Sequence, residues 1–303
     1  MNPPAIRAIV CSLLRGEDYR HHAVRLIDEE FLQFTATFLK KIAEEKSKHK
    51  SISEDWYKSG FLNQNLSSDD IAIHSGLNRK TIHNMHRSST KSIVLKTSLE
   101  HYTELKQRIG NLVQEKNLSV NLKIETESVS EILDPKESFL VINTLAVKRA
   151  AIRGGQWSAI GKRVEGPLMK TLCELYAVPP SSYEEEYKRD KEKKVDREVD
   201  FYLIAKGKKH RCEVKLMGAG NPESADAVIA RDTNIFIAST LSRQNKHDFD
   251  NRRIHWVELQ TPNGFRKFKK LLEALDIPHQ NYEGEIAEGC EKAFDSANAP
   301  RSL

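Results

Sequence analysis

The feature that most constrains the fold is a pair of alternating segments on either side of a short turn, in residues 196–215, DREVDFYLIAKGKKHRCEVK. Apolar residues recur at every second position of Val199–Ala205, and the same period returns over Cys212–Leu216. A period of two is that of a β-strand with one mainly apolar face. The intervening segment, Lys206–Lys208, is short enough for a hairpin turn. The sequence therefore predicts two antiparallel strands.

Three ionisable residues lie on one face of this predicted hairpin. If the turn is centred after Lys206, Asp200 lies opposite Glu213, whereas a turn centred after Gly207 places Asp200 opposite Lys215. The spacing leaves both registers open. In either register, Asp200, Glu213 and Lys215 share the same face of the ribbon.

Two carboxylates on neighbouring strands repel each other, because opposed Cβ atoms are only about 5 Å apart. A cation between Asp200 and Glu213 would remove this repulsion. Oxygen ligands without nearby paired cysteines favour Mg²⁺, with Mn²⁺ as a substitute, over zinc. Such a metal activates water for phosphodiester hydrolysis, and Lys215 would hold or help deprotonate that water. The alternative is an ordinary hairpin with its polar face in solvent.

Elements around the hairpin alternate between helical and strand-like patterns. Residues 158–177 follow a helical period, and Asn221 followed by Pro222 predicts a helix start after the hairpin. Two further strands are predicted over 234–240 and 254–260, with a polar helical segment between them. Mixed strands and helices of this kind predict an α/β fold.

The 303 residues are long enough for two domains. We place the boundary near Gly154, where the character of the sequence changes. Residues 1–150 are predicted to be a mainly helical domain and 151–283 an α/β domain. The remaining residues, 284–303, are small and polar, and we expect a tail with little order.

The amino-terminal half contains one long predicted helix and a series of shorter ones. Over residues 17–50, apolar side chains recur at three- and four-residue spacing, at Val24, Ile27, Phe31, Phe34, Phe38 and Ile42. Residues 63–113 are predicted to form short helices, 114–130 to form a loop or edge strand, and the apolar run 139–147 is of ambiguous type.

Within this half, residues 67–87 have the pattern of two short helices joined by a tight turn at Gly76. Apolar residues at packing positions are Ile71, Ala72, Leu77, Ile82 and Met85. Ser67 or Ser68 would cap the first helix and Asn78 the second. An exposed face is left with groups that can bind bases or phosphates, namely Arg79, Lys80, His83, Asn84 and Arg87. The segment resembles a helix-turn-helix DNA-binding motif, and a helical hairpin in an ordinary bundle is the alternative.

The spacing of Asp200 and the run Glu213-Val214-Lys215 resembles the signature of the PD-(D/E)XK nuclease superfamily. The wider stretch over roughly 150–260, including WSAIGKRVEGPLMKTLCELYAVP, EVDFYL and CEVKLMGAGNPESADA, resembles the CfrBI-like type II restriction endonucleases. This resemblance implies a mixed central sheet flanked by helices. It departs from the signature at Val199, where a proline usually precedes the aspartate.

The same resemblance implies roles for individual residues. Asp200 and Glu213 would hold the metal together with the Val214 carbonyl, and Lys215 would be the catalytic lysine. Superfamily members often place a helical glutamate near the metal, which implies that Glu165 joins the site. The alternative for Glu165 is an ion pair with Lys162 or Arg163, and Pro167 implies that its helix is kinked or begins only there.

The expected function is therefore sequence-specific, magnesium-dependent cleavage of double-stranded DNA by a homodimer, within a restriction-modification system that includes a DNA methyltransferase. The alternatives are a non-catalytic helix-turn-helix DNA-binding protein and a repair or junction nuclease of the same superfamily. The net charge of +5 permits a polyanionic partner without requiring one. The four cysteines are widely separated and no apolar run could span a membrane, so we expect a cytoplasmic protein.

Overall fold

The computed structural model describes three parts of the chain, residues 3–185, 201–216 and 233–299. Two predicted features, Asp200 and the helix start at Asn221, lie outside these described residues. The chain divides into a helical unit, Ile27–Gln156, and a sheet unit, Met1–Leu26 with Trp157–Leu303. The sheet unit therefore contains residues from both ends of the sequence.

Helices precede the first strand, with these bounds: α1 (Pro3–Arg15), α2 (Arg20–His49), α3 (Glu54–Phe61), α4 (Ser68–His74), α5 (Arg79–His86) and α6 (Lys91–Glu115). The predicted long helix is α2. Its residues Ile27, Phe38 and Ile42 are buried, as expected from their spacing. Val24 was expected on the same face and is instead 44% exposed, because the buried stripe passes through the neighbouring Ala23.

Two short strands follow α6. Strands β1 (Lys123–Glu125) and β2 (Ser130–Ile132) pair antiparallel, with Lys123 opposite Ile132. They lie in and just after the segment predicted as loop or edge strand. The Ile124 side chain is 7% exposed and belongs to the core of the helical unit.

One helix, α7, runs from Pro135 to Leu175. Its start is fixed by a capping box, in which the Glu137 N–H donates to Asp134 Oδ1 and the Asp134 N–H donates to Glu137 Oε2, each at 2.9 Å. The ambiguous apolar run 139–147 is part of this helix.

The alternative in which this helix begins only at Pro167 is wrong, since Pro167 lies inside α7. A proline removes one backbone hydrogen bond from a helix interior, which costs about 3 kcal/mol. Burial of the apolar stripe on either side offsets this cost. That stripe is almost fully buried and consists of Ile160, Val164, Leu168 and Leu172.

The sheet unit contains a five-stranded mixed sheet with the order β3-β4-β5-β6-β7. The strands are β3 (Tyr183–Glu184), β4 (Phe201–Ala205), β5 (Lys208–Lys215), β6 (Ile235–Ala238) and β7 (His255–Glu258). The pairs β3–β4 and β4–β5 are antiparallel, and β5–β6 and β6–β7 are parallel. The predicted mixed α/β class is confirmed.

The connection between the two parallel strands β6 and β7 is the predicted polar helix, α8 (Arg243–Asn251). Ser242 caps it, because its Oγ accepts the Asn245 N–H at 3.1 Å. Phe249 on α8 is 1% exposed and packs against Phe236 of β6, with ring centroids 5.0 Å apart. The helix thus packs against β6 and β7.

Two helices complete the sheet unit, α9 (Lys267–Ala274) and α10 (Ile286–Asn298). The expectation of little order after residue 284 is wrong for Ile286–Asn298, which is helical. Buried Cys290 and Phe294 lie on one face of α10, and Arg7 of α1 bonds Asp295 at 2.9 Å. The partner that orders this segment is α1, from the opposite end of the sequence.

Within the part of the chain that the structure describes, none of the helices combines the length and the apolar character needed to cross a membrane.

Candidate active site

The hairpin formed by β4 and β5 has a two-residue turn at Lys206 and Gly207. Both residues have positive φ angles, 49° and 76°, as a tight type I′ turn requires. Phe201 pairs with Cys212 and Ala205 with Lys208. Of the two registers that the sequence allowed, this is the one in which Asp200 is predicted to lie opposite Glu213.

Glu213 and Lys215 lie on the same face of β5 because they are two residues apart. The Lys215 Nζ atom lies 2.7 Å from Glu213 Oε1. The Glu213 carboxylate is 1% exposed, whereas the Lys215 side chain remains 29% exposed. A buried carboxylate is therefore held beside an ammonium group that still reaches solvent.

Glu165 approaches the same lysine from α7. Its Oε1 atom lies 3.7 Å from Lys215 Nζ, and the residue is 8% exposed. The uninterrupted helix places Glu165 one turn or less from the buried Val164 and Leu168, so its side chain is directed into the sheet unit. The structure thus brings together three of the four residues that the sequence predicted to be catalytic.

His210 belongs to the opposite face of β5, with Cys212 and Val214, because successive side chains of a strand alternate between its faces. Burial lowers the pKa of this imidazole below its usual value, and Lys208 and His255 add to the effect. The described residues contain no group of three or more histidine, cysteine, aspartate or glutamate side chains arranged to hold a metal. Asp200 is outside that set.

The charge balance of the three residues is negative. Two carboxylates, Glu165 and Glu213, surround one ammonium group, Lys215. Removing such groups from water is costly unless they are paired. Two largely buried carboxylates beside a single ammonium group offer the oxygen atoms that a hard cation such as Mg²⁺ prefers as ligands. The two carboxylates could supply oxygen ligands together with the Val214 carbonyl. Val214 lies in β5, where it is paired with Ile237 of β6.

The end of β5 is fixed by a residue that the sequence did not identify. The Ser239 N–H, which is 0% exposed, donates to the Lys215 carbonyl at 3.1 Å. The Tyr19 hydroxyl, in the segment after α1, hydrogen bonds with the Ser239 side chain. Burial raises the pKa of this hydroxyl, and its effect exceeds the opposing effect of the bond to Ser239. No local sequence signal could have found these contacts, since they depend on parallel pairing and on the fold of distant segments.

The second predicted site lies on the helix pair α4 and α5. Ser67 caps α4 by accepting the Asp70 N–H at 3.1 Å, and Asn78 caps α5 by accepting the Thr81 N–H at 2.8 Å. Between them Gly76 has φ +89°, and a Cβ atom there would lie 2.6 Å from Asn143 Nδ2. Only glycine suits this turn.

Packing of α4 against α5 follows the prediction with one exception. Ile71, Ala72 and Ile82 are each 0% exposed, but Met85 is 59% exposed. The last turn of α5 instead contacts α6 one residue later, where His86 Nε2 bonds Thr97 Oγ1 at 3.0 Å. The expected packing role of Met85 is therefore wrong.

All the residues predicted to face DNA are exposed. Four lie on α5 and the fifth follows its end: Arg79, Lys80, His83, Asn84 and Arg87. The Arg79 side chain lies near Asp69 (3.9 Å) and Ser89 (3.4 Å). The helix pair therefore presents an exposed face rich in cationic and amide groups.

A protein-family model described as the CfrBI restriction endonuclease matches residues 3–246, which include the β5 residues, Glu165 and the α4–α5 pair. The chain belongs to the CfrBI restriction endonuclease family. Searches of curated proteins and of solved structures gave no match.

Membership of the CfrBI restriction endonuclease family makes the protein a nuclease, that is, a hydrolase that acts on DNA. The match extends well beyond the 150–260 stretch on which the sequence resemblance rested, and it includes the whole helical unit. Restriction endonucleases in general use divalent metal ions, in agreement with the charge balance around Lys215.

Proposed function

We propose that this member of the CfrBI restriction endonuclease family is a type II enzyme that hydrolyses both strands of DNA at a specific sequence with Mg²⁺, at a site of the PD-(D/E)XK kind. The observation that carries the proposal is the convergence of Glu213 and Glu165 on Lys215, at 2.7 Å and 3.7 Å. A strand and a helix far apart in sequence supply these groups. An exposed hairpin with a solvated polar face would not bury two carboxylates.

In the proposed site, Asp200 and Glu213 would hold the metal, and the Val214 carbonyl would be a further oxygen ligand. Mn²⁺ would substitute for Mg²⁺ because it accepts the same ligands. When bound, the ion would supply a Lewis acid for the phosphoryl oxygens and lower the pKa of a coordinated water. Asp200 is included because continuing the register of β4 and β5 by one residue predicts it opposite Glu213.

Lys215 positions the attacking water in this proposal. Its ammonium group is partly exposed, so it can reach a water molecule at the mouth of the site while remaining bonded to Glu213. As negative charge develops on the phosphoryl oxygens, the same ammonium group stabilises it. Glu165 sets the orientation of Lys215 from the other side and adds negative charge that favours cation binding.

The α4–α5 pair is proposed as a helix-turn-helix that reads the DNA sequence. In such a unit the second helix enters the major groove, where arginine pairs with guanine and asparagine with adenine. Arg79, Asn84 and Arg87 have the required chemistry and are exposed. Lys80 and His83 are suited to phosphate contacts.

One catalytic site cuts one strand, so cleavage of both strands at a palindrome calls for a two-fold dimer. We therefore propose a homodimer that works beside a DNA methyltransferase of the same restriction-modification system. Sedimentation equilibrium on uncut cognate DNA without Mg²⁺ tests the dimer, and a complex with one protein copy per site would contradict it.

The experiment that tests the proposed function is digestion of a sequenced, unmethylated genome with and without Mg²⁺, followed by sequencing of the ends. The expected result is discrete fragments with one common terminal sequence, formed only with the metal and absent for Asp200→Ala. A matched control is Glu258→Gln on β7, which removes a similarly buried carboxylate that is paired with Lys246 at 2.6 Å and is not one of the proposed metal ligands. Heterogeneous ends, or cutting restricted to branched DNA, would contradict the proposal.

A further inference from the structure

Met85 is the residue of α5 whose environment differs most from the sequence prediction. The sequence predicts that it packs against α4, whereas the structure leaves it 59% exposed. The structure describes all of residues 79–87, and the other large apolar side chain among them, Ile82, is 0% exposed. Isolated exposed apolar residues are common on protein surfaces, so the neighbours of Met85 decide whether it has a function. Those neighbours are the cationic and amide groups of α5.

The methyl group of Thr81 is a second apolar group beside Met85. Residues four apart on a helix lie on the same face, with Cβ atoms about 5–6 Å apart, and Thr81 is also exposed. The Thr81 hydroxyl donates to Asn78 Oδ1 at 3.1 Å, so it is directed towards the start of α5. The methyl group therefore occupies a different staggered position. Together the two side chains form a small exposed apolar strip, the Thr81–Met85 strip.

The strip adjoins Asn84, which is proposed to read adenine. Successive residues of a helix are rotated by about 100°, so Lys80 and Asn84 point most directly away from the buried Ile82. By the same rotation, the Thr81–Met85 strip lies between Asn84 and the buried side of α5. An apolar surface and an amide group are therefore side by side on the exposed face of this helix.

The size of α5 brings all its exposed side chains within reach of one DNA groove. The helix has eight residues and is about 12 Å long, and the major groove of B-DNA is about 12 Å wide. Phosphates at the edges of the groove bind cationic and polar groups, so they offer no partner for a methionine. The base edges offer one apolar group in the major groove, the C5-methyl group of thymine.

We propose that the Thr81–Met85 strip contacts the C5-methyl group of one thymine in the recognition sequence, and that Met85 thereby determines specificity at that position. This inference rests on the proposed function, in which α5 is the recognition helix. The flexible thioether chain of methionine adapts to the shape of such a small apolar partner. An A·T pair presents the adenine amino group and the thymine methyl group in the same groove, which suits the adjacent Asn84 and Met85.

Deoxyuridine tests this contact, because it differs from thymidine only by the absence of the methyl group. Binding is measured without Mg²⁺, by fluorescence anisotropy of the cognate duplex and of duplexes in which each thymine is replaced in turn. At one position the wild type is expected to bind about 4-fold more weakly, the change that corresponds to loss of one buried methyl group. Met85→Ala should bind the unmodified duplex about 4-fold more weakly and lose nothing further at that position.

Two further variants serve as controls. Met85→Leu keeps an apolar side chain of similar volume, so it should retain the loss of binding caused by deoxyuridine. Leu112→Ala removes an exposed apolar side chain from α6, where Leu112 is 42% exposed. It should bind every duplex as the wild type does. Circular dichroism confirms that the variants are folded.

The inference is overturned if deoxyuridine weakens wild-type binding at no position, or if Met85→Ala shows the same losses as the wild type. A second duplex series carries 5-methylcytosine in place of each cytosine, because this base has the same methyl group. If Met85 strengthens binding only to 5-methylcytosine, the strip reads a modified base and the inference fails. In each of these cases wild-type cleavage persists, so the proposed function stands; if the wild type has no specific site, both fail.

Discussion

The Nζ atom of Lys215 lies 2.7 Å from the Oε1 atom of Glu213, a carboxylate that is 1% exposed. This contact joins two residues of one strand, and Glu165 adds a second carboxylate from α7 at 3.7 Å. A buried ion pair is by itself weak support for stability, because desolvation offsets the attraction. The excess carboxylate beside this pair is the group that the proposed cation would neutralise.

Lys215→Met is expected to lower the rate of DNA cleavage by about 10²–10⁴-fold, the usual contribution of a positioned acid-base group. Glu213→Gln should abolish detectable cleavage because it removes a metal ligand of the proposed site. Single-turnover cleavage of the cognate duplex measures both effects. Glu258→Gln, the buried carboxylate paired with Lys246, should cleave at the wild-type rate, and a loss as large as that of Glu213→Gln would contradict the assignment.

Mg²⁺ is expected to raise the thermal unfolding midpoint of the wild type. At a concentration 100 times the dissociation constant, a ligand that binds only the folded state adds about 2.7 kcal/mol. Glu213→Gln should lose most of this increase, whereas Glu258→Gln should retain it. Differential scanning calorimetry with and without Mg²⁺ makes the comparison. Equal increases in all three proteins would place the metal elsewhere.

Asn84→Ala is expected to relax sequence specificity, because a bidentate asparagine–adenine pair discriminates by about 1–3 kcal/mol. Lys80→Ala should instead weaken binding to all sequences and reduce the salt-dependence slope by about one. Anisotropy titrations at several salt concentrations separate the two effects. Lys116→Ala, at an exposed lysine after the end of α6, is the control, and an equal effect there would indicate nonspecific electrostatics.

His74 is expected to make folding stability depend on pH. Burial lowers its pKa from 6.5 to about 4, with further lowering by Lys41 and Lys148 and an opposing effect of Asp70. Between these values the unfolded chain binds a proton that the folded chain does not. The free energy of unfolding should therefore fall by about 3 kcal/mol as pH falls from 6.5 to 4. In urea titrations, the free energy of unfolding of His74→Phe should fall less over the same pH range. An equal fall in this variant would show that His74 is not the cause.

Much of the local structure follows from sequence periodicity. The spacing of Ile27, Phe38 and Ile42 predicts α2, and alternation predicts β4 and β5. Periodicity could not select the hairpin register, because turns centred after Lys206 and after Gly207 both fit. The positive φ angles at both residues decide between them.

Local sequence patterns could not predict contacts between segments that are distant in the chain. Residues Ile286–Asn298 form a helix because Cys290 and Phe294 pack in the unit that contains α1, more than 270 residues earlier in the chain. For the site, the sequence identified Glu165 but could not decide whether it would pair with Lys162, Arg163 or the hairpin. The passage of α7 through Pro167, which places Glu165 near Lys215, depends on burial of both sides of its apolar stripe.

The most direct test of the central claim is anomalous diffraction from crystals of the protein bound to cognate DNA and soaked with Mn²⁺. The account predicts an anomalous peak bonded to carboxylate oxygens of Glu213 and Asp200, next to the scissile phosphate. A catalytically active crystal with no Mn²⁺ at Glu213, or with the ion bound only elsewhere, would contradict it.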